Sequence, residues 1–292
     1  MRTRTIGNET VGIVEVGAIG LGEMPMSLSG RPSEADSVRT IHAALDAGVT
    51  LVDTADAYCI GPDDVGHGER LVATALASYP EPTDGVLVAT KGGHTRTPDG
   101  DWGLDGSPDH LRRACDASLK ALGVEAIGLY QHHRPDPRVP YAETIGAIRE
   151  LHDAGKILMA GVSNADVDQI RLAQEILEGA LVSVQNRFAP DFRSSEGELR
   201  WCAERGLAFL PWSPLGGIGK GATVGQRYAA FAEVAAERGV SPQRVCLAWM
   251  LAKSPTVIPI PGSSRPETIT DSSRAADLDL TPDEVARLDA TG

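Results

Sequence analysis

The clearest structural pattern in the sequence is that of Val49-Thr50-Leu51-Val52-Asp53-Thr54-Ala55-Asp56-Ala57-Tyr58. Its Thr50–Val52 portion is short, apolar and β-branched, which is typical of a strand buried on both faces of a parallel sheet. The run ends abruptly at Asp53. In a β/α barrel the C-terminal ends of the strands form the floor of the active site, so a carboxylate there is a candidate functional group. Taken alone, however, Asp53 and Tyr58 fit a turn cap and a rim residue better.

The pattern of a short apolar run followed by a helical segment repeats along the chain. About eight strands alternate with helices, with no composition break and no linker. This alternation predicts a parallel sheet with right-handed crossovers. Eight units favour a closed (β/α)₈ TIM barrel, a single α/β domain over residues 1–292, although counting alone leaves a doubly wound sheet open. We also expect a short N-terminal β-hairpin around Gly7-Asn8, a helix capped by Asn164, and a last strand at Val257–Ile260.

Composition narrows the classes of function. The chain has 27 Lys and Arg against 40 Asp and Glu, a net charge of −13. That field opposes nucleic acid and anionic membrane surfaces as partners. The four cysteines are scattered without a CxxC motif, so neither a disulfide framework nor a thiolate metal site is expected. The sequence shows no signal peptide and no long apolar run, which favours a soluble cytoplasmic protein.

Polar side chains follow further apolar runs, among them Lys91 and His133. On a strand period of two, Asp53, Lys91 and His133 fall on barrel-facing positions, whereas His132 faces the helix layer. The two adjacent histidines therefore face opposite ways, and no metal site is expected from them. Each residue alone fits a surface or rim position. The coincidence of Asp, Tyr, Lys and His at one barrel end favours catalysis.

Seven motifs, in order, resemble those of the aldo-keto reductase family over essentially the whole chain. They are Val52–Tyr58, Ala89–Gly92, Leu129–Asp136, Gly161–Asn164, Val184–Asn186, Trp212–Gly217 and Ile258–Ser264. The resemblance implies a (β/α)₈ barrel that reduces aldehydes and ketones with NADPH. It places the catalytic tetrad at Asp53, Tyr58, Lys91 and His133, since the family's histidine directly precedes Arg-Pro. The Pro-Leu-Gly-Gly segment is also similar to that of bacterial pyridoxal-reducing members.

The resemblance further implies which residues hold the cofactor. Three positions match those that bind the carboxamide, Trp212 matches the aromatic residue that stacks on the nicotinamide, and two segments match the pyrophosphate loop and the adenosine 2′-phosphate site. The implied set is Gly22, Met24, Asp53, Ser163, Asn164, Gln185, Trp212, Ser213, Pro214, Leu215, Gly217, Gly262, Ser263, Ser264, Arg265 and Ser272. Because Ser272 stands where the family has an adenine-binding Asn, the preference for NADPH rests mainly on Arg265, and NADH use stays open.

The tetrad residues suit the proton transfer that carbonyl reduction needs. A free phenol has a pKa near ~10, so it is poorly poised at neutral pH. The Lys91 ammonium is expected to favour the phenolate and lower the pKa of Tyr58, while Asp53 holds Lys91 in place. Tyr58 is then the general acid in reduction and the general base in the reverse reaction. His133 is expected to donate a hydrogen bond to the carbonyl oxygen.

The substrate is expected to be a small-molecule carbonyl whose pocket is lined by Tyr58, Trp102 and His133. Trp102 also fits a solvent-side aromatic residue that anchors its loop. Two other classes of function stay open. One is a regulatory barrel that keeps NADPH as a ligand with little turnover, as in relatives similar to channel β-subunits. The other is a metal-dependent barrel hydrolase, which the lack of a paired ligand set disfavours. The sequence does not predict the oligomeric state.

Overall fold

The computed structural model describes residues 1–291. The strands are β1 (Thr3–Asn8), β2 (Gly12–Gly17), β3 (Leu21–Gly22), β4 (Leu51–Asp53), β5 (Leu87–Gly92), β6 (His94–Arg96), β7 (Trp102–Leu104), β8 (Ile127–His132), β9 (Ile157–Ser163), β10 (Leu181–Gln185) and β11 (Ala208–Phe209). The α-helices are α1 (Glu34–Asp46), α2 (His67–Ala77), α3 (Pro108–Leu122), α4 (Tyr141–Asp153), α5 (Val167–Leu177), α6 (Glu196–Arg205), α7 (Val224–Arg227), α8 (Ala229–Arg238), α9 (Pro242–Leu251), α10 (Pro266–Ser273) and α11 (Pro282–Asp289). Within this range, no helix is long and apolar enough to cross a lipid bilayer.

Seven strands form one parallel sheet in the order β11-β10-β9-β8-β5-β4-β3. At its two edges, Phe209 pairs with Val257 and Gly22 pairs with Gly262 through single parallel bridges. The strand predicted at Val257–Ile260 lies between these bridges. Ile258 N–H donates to the Phe209 carbonyl and the Pro259 carbonyl accepts from Gly20 N–H, both at 2.9 Å, but no regular strand is formed, and Pro259 has no N–H to donate. The architecture is an α/β, TIM-like barrel fold, and a complete eighth strand stays a prediction.

The N-terminal strands β1 and β2 pair antiparallel, with Thr3 opposite Gly17 and Asn8 opposite Gly12. The turn therefore comprises residues 9–11, after Asn8, rather than Gly7-Asn8 as predicted. Gly7 is a strand residue with φ of 108°, and a Cβ there would meet the Gly12 carbonyl oxygen at 2.0 Å. The glycine is thus required by close strand approach, while the Asn8 side chain accepts a hydrogen bond from the turn.

Apolar side chains alternate between an inner cluster and a layer under the helices, as the strand period predicts. Leu51 lies in the inner cluster with Ala89 and Leu129 from the neighbouring strands. Val52 instead packs with α1 and α2 through Ile41 and other buried side chains. Both faces of β4 are therefore buried. Because side chains two residues apart share a strand face, Asp53 lies on the same inner face as Leu51, at the C-terminal end of the strand.

Asn164 does not cap a helix. Helix α5 begins at Val167 and is capped by Asp166, whose side chain accepts a hydrogen bond from the Gln169 backbone N–H at 2.8 Å. Asn164 has φ of 56°, in the left-handed region, whereas an N-cap residue is extended. This prediction was wrong: the Asn164 side chain donates to Ser163 Oγ and to the His133 carbonyl at the strand ends, not to the backbone of the helix.

Candidate active site

The strand ends bring the four predicted catalytic side chains together. Asp53 is the last residue of β4, Lys91 lies near the end of β5, and His133 directly follows β8. Tyr58 comes from the loop after β4, where its backbone N–H donates to the Ala55 carbonyl at 3.2 Å. This turn folds the phenol back over the strand ends. All four side chains are buried.

Lys91 is the centre of the cluster. Its Nζ donates to Asp53 Oδ2 at 2.7 Å, to the Thr54 carbonyl at 2.7 Å and to the Tyr58 hydroxyl at 3.2 Å. An ammonium has three donors, so all of its hydrogen-bonding capacity is used. The other carboxylate oxygen of Asp53 accepts from Gln185 Nε2 at 2.7 Å and from Gln131 Nε2 at 3.3 Å. The buried ion pair is therefore held from both sides.

The protonation state of Tyr58 differs from the simplest expectation. Burial raises the pKa of Tyr58 to about 12, and the Lys91 ammonium opposes this shift without cancelling it. The effect of Lys91 on the pKa has the predicted direction, but the net shift is upward, because the desolvation of the buried phenol is the larger effect. Burial also lowers the pKa of Lys91, but Asp53 and Tyr58 outweigh it and raise that pKa overall. At neutral pH the site therefore holds an ammonium beside a protonated phenol.

His133 and His132 face opposite sides of the sheet, as the strand period predicts. The His133 ring lies edge-on to Tyr58 with centroids 5.6 Å apart, whereas the His132 ring lies 5.7 Å from Tyr141 in the helix layer. Burial, together with Lys91, holds the pKa of His133 well below its usual range. A neutral imidazole has one N–H to donate. Among residues 1–291, no group of His, Cys, Asp or Glu is arranged to hold a metal ion.

The antiparallel hairpin of β6 and β7, which was not predicted, contributes to the wall of the site. It brings Trp102 to 6.4 Å from Tyr58, ring centroid to ring centroid, with the Arg96 guanidinium stacked on the indole at 3.4 Å. It also places His94 at 4.3 Å from His133. Trp102 was predicted to line the pocket, but His94 was not singled out. The polar and aromatic residues in the loop after Gly92 are the sequence feature that could have indicated a role for His94.

The predicted carboxamide-binding residues adjoin the tetrad. Ser163 Oγ donates to the Gln185 carbonyl at 2.7 Å, and Asn164 Nδ2 donates to Ser163 Oγ and to the His133 carbonyl, both at 3.0 Å. Gln185 is itself bonded to Asp53 through its side-chain N–H. These contacts order three polar side chains at the ends of β9 and β10, directly beside the catalytic cluster.

Trp212 lies where the next strand ends. Its backbone bridges to Arg187, its ring is half-buried, and its Nε1 is buried without a partner in the described part of the chain. The following residue, Ser213, has φ of 50°. A non-glycine residue in the left-handed region is strained and marks a point of constrained backbone. The half-exposed indole fits an aromatic platform for a planar ring.

The loop after Ser213 has an open backbone. Gly216 and Gly217 have φ of 96° and 112°, and a Cβ on Gly217 would meet no other atom closer than 3.9 Å. Arg227 holds the loop by donating to the Leu215 carbonyl at 2.7 Å. Pro214, buried, and Leu215, half-buried, fill the space beneath. Gly216 is buried, and a Cβ there would meet the Arg227 guanidinium at 2.7 Å, so the open backbone is that of Gly217, which fits the diphosphate of a dinucleotide cofactor.

The remaining predicted cofactor residues lie in two neighbouring segments. Gly22 and Gly262 are bridged, and a Cβ on Gly22 would approach the Ile260 carbonyl oxygen at 3.0 Å. Arg265 is exposed at the N-cap of α10, and Ser263 Oγ donates to its carbonyl at 3.0 Å. The other members are half-buried Met24 after β3, half-buried Ser264, and buried Ser272 within α10.

One buried acid beside the tetrad was missed, Glu23. Its carboxylate accepts from Ser27 Oγ and, at 3.0 Å, from Thr54 Oγ1, while its backbone N–H donates to the Asp53 carbonyl. Burial raises the pKa of Glu23 to about 7, although the two hydroxyl donors oppose the shift. A carboxyl group that holds its proton more tightly in the folded chain stabilises the fold below its ordinary pKa, and that contribution is lost as the pH rises through the folded-state pKa.

Glu23→Gln should therefore change how stability depends on pH. The shift from 4.5 to about 7 corresponds to about 3 kcal/mol at ~1.4 kcal/mol per pKa unit. As the pH rises from 4.5 to 7, wild type should lose this contribution to its unfolding free energy, whereas the variant, in which Gln does not titrate, should not. The difference in unfolding free energy, variant minus wild type, should therefore increase by about that amount over this range. Urea denaturation across this range is the measurement, with the exposed Glu125→Gln as control. A difference independent of pH would contradict it.

Comparisons with known proteins agree with this geometry. The profile of the Aldo/keto reductase family matches residues 18–292. An uncharacterised oxidoreductase of Schizosaccharomyces pombe is 33% identical over 98% of this chain and 90% of its own length. A 6-dehydroglucose reductase of Novosphingobium aromaticivorans is 34% identical over 90% of this chain and 87% of its own.

A solved structure shares the fold as well. An aldo/keto reductase of Klebsiella pneumoniae, in complex with NADP and acetate, superposes with a TM-score of 0.77 at 26% identity, covering 94% of this chain and 91% of that chain. The similarity extends over nearly the whole sequence and includes the strand ends that carry the site. The chain therefore belongs to the aldo/keto reductase family and is an NAD(P)H-dependent oxidoreductase.

Proposed function

We propose that this enzyme reduces aldehydes and ketones to alcohols with NADPH, and that Tyr58 donates the proton. The observation that carries the proposal is the buried Lys91 ammonium, bonded to Asp53 at 2.7 Å and to the Tyr58 hydroxyl at 3.2 Å. If the Lys91–Asp53 ion pair were only structural, the third N–H of Lys91 would not need a phenol as its acceptor. The cofactor supplies a hydride when it is bound, and the side chains of this chain manage the proton and the charge.

Each tetrad residue has a distinct task in this proposal. His133, neutral because of its burial, donates a hydrogen bond that orients the carbonyl oxygen. Tyr58 is protonated at neutral pH, so it can deliver its proton as negative charge develops on that oxygen. Lys91 stabilises the phenolate that remains, and Asp53 keeps Lys91 charged and fixed. Ser163, Asn164 and Gln185 would hold the carboxamide.

The test is an assay of the purified chain with a panel of aldehydes and ketones, using NADPH and NADH in parallel and following the nicotinamide absorbance. We expect oxidation of NADPH that depends on the carbonyl compound, with slower turnover or weaker binding for NADH. Tight binding of NADPH without turnover of any carbonyl compound would instead support a regulatory barrel.

The choice of NADPH over NADH is proposed to depend on Arg265. The 2′-phosphate is dianionic, and a chain of net charge −13 offers it no general attraction. Arg265 is exposed and has no ion-pair partner in residues 1–291, and it stands at the start of α10. A guanidinium at this position suits a phosphate, to which it can donate two parallel hydrogen bonds.

Arg265→Ala should weaken NADPH binding by roughly ten- to a hundredfold, since a charged hydrogen bond contributes about 1.5–3 kcal/mol. NADH lacks the phosphate and should bind almost as before. The measurement is the dissociation constant of each cofactor by fluorescence quenching. Arg274→Ala is the matched control, because Arg274 is also exposed but stands at the far end of α10. Equal losses for both cofactors would show that Arg265 does not read the phosphate.

A further inference from the structure

His94 is placed within the wall of the site by the β6–β7 hairpin. Its ring stands nearly perpendicular to that of His133, with centroids 4.3 Å apart, and it lies 5.2 Å from Trp102. His133 in turn lies 5.6 Å from Tyr58. His94 is thus in direct contact with His133 and one ring removed from Tyr58. If Tyr58 and His133 hold the carbonyl oxygen as proposed, a substituent on the adjacent carbon would be the part of the substrate within reach of His94.

The hairpin also fixes which nitrogen of His94 carries the proton. Nδ1 lies 3.0 Å from the Gly103 carbonyl oxygen. Because a carbonyl oxygen only accepts hydrogen bonds, Nδ1 must be the donor. Burial lowers the pKa of His94, so the ring is neutral at pH 7 and Nε2 has no proton. In the described part of the chain, Nε2 makes no hydrogen bond, and protein atoms do not fully enclose it. Nε2 is therefore an accessible hydrogen-bond acceptor without a partner among residues 1–291.

We infer that His94 is a specificity-determining residue, whose Nε2 accepts a hydrogen bond from a hydroxyl group on the carbon adjacent to the substrate carbonyl. The substrate class is then α-hydroxy aldehydes and ketones. An acceptor that is fixed by the backbone and cannot donate favours a hydroxyl over a methyl group at that carbon, because the methyl compound leaves the nitrogen unpaired. This inference rests on the proposed carbonyl reduction.

The test compares two substrates that differ only in that group, glycolaldehyde and propanal, with NADPH. The measured quantity is kcat/KM for glycolaldehyde divided by kcat/KM for propanal. Because this ratio is compared between wild type and variant, the intrinsic reactivities of the two aldehydes cancel. His94→Phe keeps a ring of similar shape but removes the acceptor. We expect the ratio of glycolaldehyde to propanal to fall by roughly three- to tenfold in this variant, the range for one hydrogen bond. His94→Gln, which retains an acceptor, should recover part of the ratio.

Thr95→Val is the control for damage to the hairpin, since Thr95 is the neighbouring residue of β6 and faces away from His94 along the strand. Its ratio should equal that of wild type. An unchanged ratio in His94→Phe, or an equal fall in Thr95→Val, would overturn the role of His94. If the wild-type enzyme reduces neither aldehyde nor any other carbonyl compound, the proposed function fails instead. If His94→Phe does not fold, an unchanged ratio in His94→Leu overturns the role equally.

Discussion

Tyr58→Phe is expected to abolish carbonyl reduction while NADPH affinity stays nearly unchanged. Only the hydroxyl is removed, and it is the group that Lys91 approaches at 3.2 Å. A positioned general acid contributes roughly 10²- to 10⁴-fold to the rate, so kcat should fall by at least the lower figure. The phenyl ring keeps the edge-on contact with His133, so the pocket should retain its shape. The readout is the turnover of 4-nitrobenzaldehyde beside the dissociation constant of NADPH.

The matched control is Tyr79→Phe. Tyr79 follows α2, and its hydroxyl donates to Asp46 at an exposed position remote from the strand ends. This variant removes the same atom from a tyrosine outside the site and should keep wild-type turnover. If Tyr58→Phe also turned over 4-nitrobenzaldehyde like wild type, the proton would have to come from another group.

Lys91→Met is expected to be inactive and less stable. Removing one partner of a buried ion pair typically costs about 3–5 kcal/mol, and Asp53 would keep only its two glutamine donors. The loss of the ammonium should also raise the pKa of Tyr58 further, because Lys91 is the group that favours its phenolate. In alcohol oxidation the phenolate is the base. Any residual oxidation should therefore reach its maximum at a higher pH than in wild type.

The pH–rate profile separates a catalytic lysine from a structural one. A lysine that only supports Asp53 would lower activity and stability without moving the profile. Lys156→Met is the control for the substitution itself, since Lys156 is paired with Asp116 near the surface, where such pairs contribute little. A variant at Lys91 with an unshifted profile would remove Lys91 from the mechanism.

The resemblance assigned the tetrad roles, but the direction of three of its side chains was predictable from pattern because they follow strands with clear apolar runs. Leu51, Ala89 and Leu129 share the inner cluster, and the strand period carries their direction on to Asp53, Lys91 and His133. This inference needs only local pattern and the rule that parallel strands present their ends at one side. The pairing of Lys91 with Asp53 then follows from adjacent strands.

Other features depend on contacts that no local pattern encodes. Strands β6 and β7 have three residues each, too short for a periodic signal, so His94 was missed. The segment Val257–Ile260 reads as a strand by hydrophobicity, although Pro259 within it has no N–H to donate. The pKa of Tyr58 depends on burial by Trp102, His133 and other distant residues, and this burial reversed the net shift expected from Lys91 alone.

The proposed reaction depends on transfer of a hydride from the cofactor to the carbonyl carbon. To test this transfer, 4-nitrobenzaldehyde is reduced with NADPH deuterated at the transferred position, and the reaction is then repeated with ordinary NADPH in D₂O. We expect one deuterium on the carbinol carbon in the first reaction and none on that carbon in the second. Carbon-bound deuterium derived from the solvent, or no alcohol from either reaction, would contradict it.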